Sequence, residues 1–142
     1  MINAKNENGK FSIAITLVNK NKSITADFYL DTGFDGYLKI DKHLFDELEL
    51  QSTKKKKISL ASGAVDNADV SKVKFKVDEA EGEAEIIAVG WGGRNLLGTN
   101  FLRIADIILV IDNSHGMYLT NNRNLAYEVG KTIFMWHNKI KS

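Results

Sequence analysis

Asp31-Thr32-Gly33 is the segment of this sequence best placed to do chemistry. It follows the apolar residues Phe28-Tyr29-Leu30 and precedes Phe34-Asp35-Gly36-Tyr37-Leu38. Read alone, the triplet is a β-turn, because Asp, Thr and Gly are all common turn formers. An apolar strand on each side changes that reading: it fixes the Asp31 carboxylate at one place inside the domain, while Gly33 lets backbone approach closely. A partly buried carboxylate beside a like charge is one way in which acidity is tuned for proton transfer.

Other chemistries find less support. The chain has 142 residues and no cysteine, which removes disulfides, thiolate nucleophiles, iron-sulfur clusters and cysteine-based zinc sites. His43, His115 and His137 lie far apart with no His-x-x-x-His or Glu-flanked pairing, so neither a histidine metal site nor a triad is expected. Gly130-Lys131-Thr132 matches the end of a phosphate-binding loop, but Leu125 stands where that motif needs glycine. Gly90, Gly92 and Gly93 approach a dinucleotide loop, yet Asn95 occupies the third glycine's place.

Lys54 to Lys57 is the one strong charge run, and extended lysines can contact phosphate. No aromatic residues interleave with them, and 19 basic against 18 acidic side chains give a net charge of +1. The expectation is a solvated strand edge and no nucleic-acid partner. Asn21-Lys22-Ser23 is formally a glycosylation triplet, without a secretory signal to give it meaning. The aliphatic run Ile107 to Ile111 is far below the roughly 20 apolar residues of a spanning helix. The polar start, Met1 to Lys10, is not followed by a cleavage-site pattern. No membrane partner is expected, and the reading places the protein in the cytoplasm.

The elements that must hold Asp31 in place are short strands. Phe11, Ile13, Ile15 and Leu17 alternate with Ser12, Ala14, Thr16 and Val18, the period of a half-buried strand. Asn19 to Lys22 marks a turn, and Ile24 to Leu30 is the returning strand. Asp41 is placed to cap a helix from Lys42 to Leu48. Ile58 to Leu60 and Val70 to Val77 read as a hairpin around the polar stretch Ser62 to Asp69, and Glu85 to Val89 as a further strand. Thr99 is the expected cap of a helix over Asn100 to Ala105, followed by strands Ile107 to Ile111 and Met117 to Leu119. Ala126 to Trp136 fits either a hairpin about Gly130-Lys131 or a broken helix. Many short strands with two short helices predict a mostly β fold, a small barrel or sandwich.

These residues together resemble the retropepsin-like (clan AA) aspartic proteases, the family of retroviral proteases and their cellular and bacterial relatives. The family pattern is an apolar pair before Asp-Thr-Gly, a flap hairpin with a small Gly-containing tip, and an apolar-apolar-Gly segment entering a short helix. Here Tyr29-Leu30 precedes Asp31-Thr32-Gly33, Ala61-Ser62-Gly63-Ala64 matches the tip, and Leu96-Leu97-Gly98 leads into Thr99-Asn100-Phe101-Leu102. The likeness covers residues 11 to 120, leaving 1 to 10 as an N-terminal tail and 121 to 142 as a C-terminal extension. The resemblance implies a small closed β-barrel with two short helices and a flap.

The roles that the resemblance implies follow residue by residue. Asp31 would be the catalytic carboxylate, the Thr32 hydroxyl would fasten two active-site loops together, and Gly33 would border the substrate. Asp35 would help hold peptide backbone, while Ala61, Ser62, Gly63 and Ala64 would close over it. Leu96, Leu97 and Gly98 would pack behind the catalytic loop. One departure stands out: some family members carry arginine directly after the glycine, whereas Thr99 stands here, leaving Arg94 and Arg103 as alternatives to pair with Asp35.

Peptide hydrolysis by this route needs two carboxylates sharing a proton, and the chain holds a single Asp-Thr-Gly. The implied unit is a homodimer acting on peptide or protein substrates, with one Asp31 from each chain and no metal or organic cofactor. The apolar stretch Thr132 to Trp136 would then pair with its symmetry mate or cover one end of the barrel. Two other readings stay open: a non-catalytic dimerisation or peptide-binding module on the same fold, and a nucleic-acid-binding β-barrel using Lys54 to Lys57.

Overall fold

The computed structural model describes residues 4–59, 62–90, 93–112 and 116–120, together with Asn124 and Glu128. The chain begins with β1 (Lys5–Glu7), which folds back on β2 (Lys10–Asn19), so part of the polar first ten residues is a strand. β2 turns at Lys20 into β3 (Lys22–Leu30), with Ile15 opposite Ala26 and Ser12 opposite Tyr29. β4 (Leu38–Ile40) leads into α1 (Lys42–Glu47). β5 (Lys54–Ser59), β6 (Val65–Val77) and β7 (Ala80–Ala88) form an antiparallel meander. The two-residue β8 (Leu96–Leu97) precedes α2 (Thr99–Ile104), and β9 (Ile108–Asp112) pairs with β10 (Gly116–Thr120) as a separate hairpin.

The pairings run from β2 through β3, β8, β4, β7 and β6, and β6 returns to β2 through Leu17 opposite Phe75. That closed circuit is what a small barrel requires, because it removes the edges an open sheet would expose. β1 and β5 lie at the two free ends. Ile13, Ile15 and Leu17 of β2, Val73, Phe75 and Val77 of β6, and Phe28, Ile86 and Leu97 point into the interior, all nearly inaccessible. The alternation of β2 thus reflects one buried face. α1 contributes Phe45, and α2 contributes Phe101, whose ring meets Phe75 edge-on at 4.8 Å between centroids. A second, smaller apolar cluster gathers Ala68, Val70, Ile87 and Val89, with Phe34 and Ile58 against it.

Asp41 caps α1 as expected, accepting from the Leu44 N–H at 3.0 Å. At α2 the expectation fails: the helix starts at Thr99, its cap is Gly98, and no side chain caps it. The reason lies in the preceding loop, where the Gly98 N–H donates to the Tyr37 carbonyl at 2.9 Å and the Thr99 N–H to Phe34 at 3.3 Å. Carbonyls from another part of the chain satisfy these donors instead of a cap. β5 and β6 are longer than their apolar residues indicate, because Lys54 to Ser59 pair with Val65 to Val70 through a backbone ladder that needs no apolar alternation. Similarly, β7 begins at Ala80, where Glu81 and Glu83 pair with Lys76 and Lys74 across an exposed face.

His115, His137, Gly92, and the alternatives for Ala126 to Trp136 (Glu128 apart) lie outside the described residues.

Candidate active site

β3 is flanked by β2 on one side and by β8, in parallel, on the other, with Tyr29 opposite Leu96 and Leu30 opposite Leu97. The Asp31 N–H extends that ladder by one bond, donating to the Leu97 carbonyl at 3.0 Å. The backbone of Asp31 is therefore clamped from a segment distant in sequence. Its side chain is fixed locally: Oδ1 accepts the Gly33 N–H at 2.9 Å, and the Asp31 carbonyl accepts the Phe34 N–H at 3.0 Å. A turn-forming triplet has its side chain and main chain both committed to the turn, and Asp31 remains half-exposed at its mouth.

Gly98 packs directly behind this turn. A Cβ there would lie 2.5 Å from the Phe34 carbonyl oxygen and closer still to that of Gly36, distances no side chain tolerates. Asn100 Nδ2 donates to the Asp35 carbonyl, and Asn100 Oδ1 in turn accepts Arg103 Nη2 at 2.6 Å. Arg103 therefore reaches the 31–37 loop only through Asn100. Arg94 lies over the Tyr29 ring at 4.9 Å. Neither arginine forms an ion pair with the exposed Asp35 among the described residues.

Asp31, Gly33 and Asp35 border a cleft of about 610 Å³. Its other walls come from Phe34, Tyr37 and Leu38 of the loop and β4, from Glu85 and Ile87 of β7 and Val89 just after it, from Leu96, and from Lys56 to Ser59 of β5. An apolar concavity with a few polar groups is the usual form of a ligand site. Thr32 is exposed, is not in the lining, and makes no side-chain hydrogen bond among the described residues. Ser62, Gly63 and Ala64 form the exposed turn of the β5–β6 hairpin, with Gly63 at φ +85°, the left-handed region where glycine carries no steric penalty. These tip residues are not in the cleft lining, and Ala61 lies outside the described residues. Leu97 and Gly98 sit behind the loop, while Leu96 faces the cleft.

Two features of the site were not singled out from sequence. Lys39 lines the cleft, and its Nζ donates to the Arg94 carbonyl at 3.0 Å; burial pushes its pKa down, partly countered by Asp41. Asp69, buried at the root of the β5–β6 hairpin, holds both Lys55 and Lys42. A lone Asp in a polar stretch gave no signal of either partner, whereas Lys39 between two apolar residues, Leu38 and Ile40, carries the alternation that points one side chain out of the core. No group of acidic, His or Cys side chains suited to a metal occurs among the described residues, and no helix among them is long and apolar enough to cross a membrane.

No family model and no curated protein matches this sequence. Among solved structures the chain is similar to a retropepsin-like aspartic protease from Rickettsia conorii, with a TM-score of 0.63 and 21% identity over 84% of this chain and 87% of that one. It also matches the solution structure of Simian Foamy Virus (mac) protease, with a TM-score of 0.47 and 17% identity over 65% of this chain and 91% of that one. The fold is retropepsin-like: mostly β, with two short helices, and with its Asp-Thr-Gly at the end of the strand that pairs in parallel with β8.

Proposed function

We propose that the protein is an aspartic endopeptidase whose Asp31 pairs with Asp31 of a second copy. The observation that carries this reading is the place of Asp31: on a retropepsin-like fold, at a clamped turn, on the edge of a cleft of about 610 Å³. In the proposed reaction the ionised carboxylate of the pair takes a proton from water as the water oxygen bonds to the scissile carbonyl carbon. The protonated partner gives its proton to the carbonyl oxygen. Collapse of the tetrahedral intermediate breaks the C–N bond, and the nitrogen leaves with a proton returned from the pair. Two carboxylates this close titrate as a unit.

In this proposal Gly33 and Asp35 border the bound backbone, Ala61 to Ala64 close over it, the two Thr32 hydroxyls fasten the paired loops, and Leu96 to Gly98 support them. The chain needs no thiol for this chemistry, and a cysteine-free sequence suits work in the reducing cytoplasm. The test is digestion of a mixed peptide library, read by mass spectrometry, with wild type and with Asp31→Asn. Asn keeps an oxygen for the Gly33 N–H, so the fold should persist while cleavage falls by at least about 10²–10⁴-fold. Equal cleavage by the variant would remove Asp31 from the mechanism.

One observation favours a second reading, a non-catalytic peptide-binding module: Arg103 is engaged by Asn100, and among the described residues Asp35 forms no ion pair with an arginine. Peptide binding by wild type and Asp31→Asn alike, with no cleavage by either, would select that reading.

A further inference from the structure

Lys54 to Lys57 make up most of β5, the free-edge strand that also walls the Asp31 cleft. Alternate side chains of a strand leave on opposite faces. Lys55 stands opposite Asp69 and is neutralised by it. Lys56 shares the other face with Ile58, which packs on the cluster containing Ile87 and Val89 of the cleft wall. Alternation therefore directs Lys56 to the cleft side, where no carboxylate of the chain pairs with it among the described residues.

The other charges of the cleft are accounted for differently. Glu85 lies opposite Lys72 in the β6–β7 ladder, with no ion pair between them among the described residues, and Lys39 gives its ammonium to the Arg94 carbonyl. Asp31 and Asp35 belong to the turn after β3, so a bound anion is repelled from that wall and drawn to the β5 wall.

We infer that Lys56 makes the cleft selective for polypeptides carrying an Asp or Glu side chain at the position beside β5. This deepens the endopeptidase reading and rests on it. Lys56 is exposed, so a carboxylate beside it gains only the modest energy of a solvated ion pair, enough to favour Glu over Gln at that one position.

The experiment uses one cleavable peptide in which each position is changed in turn to Glu, Gln or Lys. It measures kcat/KM with wild type, Lys56→Gln, Lys56→Glu and Lys54→Glu, each checked for native circular dichroism. In parallel, fluorescence anisotropy measures binding of the same peptides, and of a single-stranded oligonucleotide, to Asp31→Asn and its Lys56→Glu double variant. At one position Glu should exceed Gln by about two- to fivefold at low salt. Lys56→Gln should level the two, Lys56→Glu should favour Lys, and Lys54→Glu should leave the wild-type order in place.

Equal use of Glu and Gln at every position overturns the inference and leaves the protease reading standing. An equal effect of Lys54→Glu overturns it as well, because the selection would then be a long-range field. Binding of the oligonucleotide in preference to the acidic peptides overturns it in favour of phosphate contact. If no peptide is cleaved but Asp31→Asn binds Glu over Gln and the double variant reverses this, charge selection by Lys56 is upheld and the protease reading fails.

Discussion

Lys42 Nζ lies 2.9 Å from Asp69 Oδ2, joining the first residue of α1 to the root of the β5–β6 hairpin. The same carboxylate takes Lys55 from β5 and is only 9% exposed. Lys55 first, and Lys42 second, hold the Asp69 carboxyl well below the usual range, while the Asp69 hydrogen bond raises Lys42. One buried charge thus ties the β5 wall of the cleft to α1.

Asp69→Ala should lower stability by about 1–3 kcal/mol at pH 7, in the range of hydrogen bonds to charged groups, because its two lysines can rehydrate. Equilibrium urea unfolding measures it. Asp69 has a depressed folded pKa, so its contribution is complete above the ordinary value of 3.8 and fades as pH falls below it. Lys42 has a raised one, so its share is complete below 10.5 and is lost as pH rises beyond. The gap between wild type and variant should therefore form a plateau between those limits and narrow outside them. A gap that grows in acid would show that the carboxylate is not held by these cations.

Gly98→Ala tests close approach rather than backbone freedom, since Gly98 has φ −98°, open to any residue. The added methyl meets two carbonyl oxygens of the 31–37 loop, so either that loop or α2 must move. A loss of about 1–3 kcal/mol is expected from overpacking, together with loss of cleavage larger than the stability change explains. Thermal melting and activity at a temperature where the variant remains folded separate the two effects. An unchanged melting temperature would mean that the loop yields freely.

If the reactive pair is shared between two copies, specific activity must depend on protein concentration. Below the dimer dissociation constant the rate should climb with the square of total protein, then become linear, and sedimentation velocity should show the larger species over the same range. Mixing wild type with excess Asp31→Asn should suppress activity by forming mixed pairs. Specific activity that stays constant on dilution to a purely monomeric sample would exclude a shared pair.

Much of the framework was legible in the residues. Phe11 to Val18 showed one buried face, and β2 covers it with one residue added at each end. Asp41 marked the start of α1 through its side-chain oxygen, as a short polar cap does. Of the segment Leu96-Leu97-Gly98, expected behind the Asp31 turn, Leu97 and Gly98 bond through their backbone to Asp31 and Tyr37, whereas Leu96 lines the cleft. What could not be read was whatever depended on partners far along the chain. Gly98 replaces Thr99 as the cap because the Tyr37 and Phe34 carbonyls take those N–H groups. Asp66 to Asp69 belong to a strand because Lys55 to Ile58 lie opposite, not because of their own propensity. The return of β6 to β2, which closes the circuit, leaves no local mark at all.

The parallel pairing of β3 with β8 also sets when the candidate site comes into being. Asn95 Nδ2 donates to the Asp27 carbonyl across 68 residues of sequence, and the Asp31 N–H waits for the Leu97 carbonyl beside it. Closing so long a loop is entropically costly and slows folding. Before Leu97 is in place, Asp31 is an ordinary turn carboxylate in a growing chain. If Asp31 serves the proteolysis proposed for it, the centre would switch on only once nearly the whole domain has folded, leaving nascent chains and folding intermediates inert toward one another.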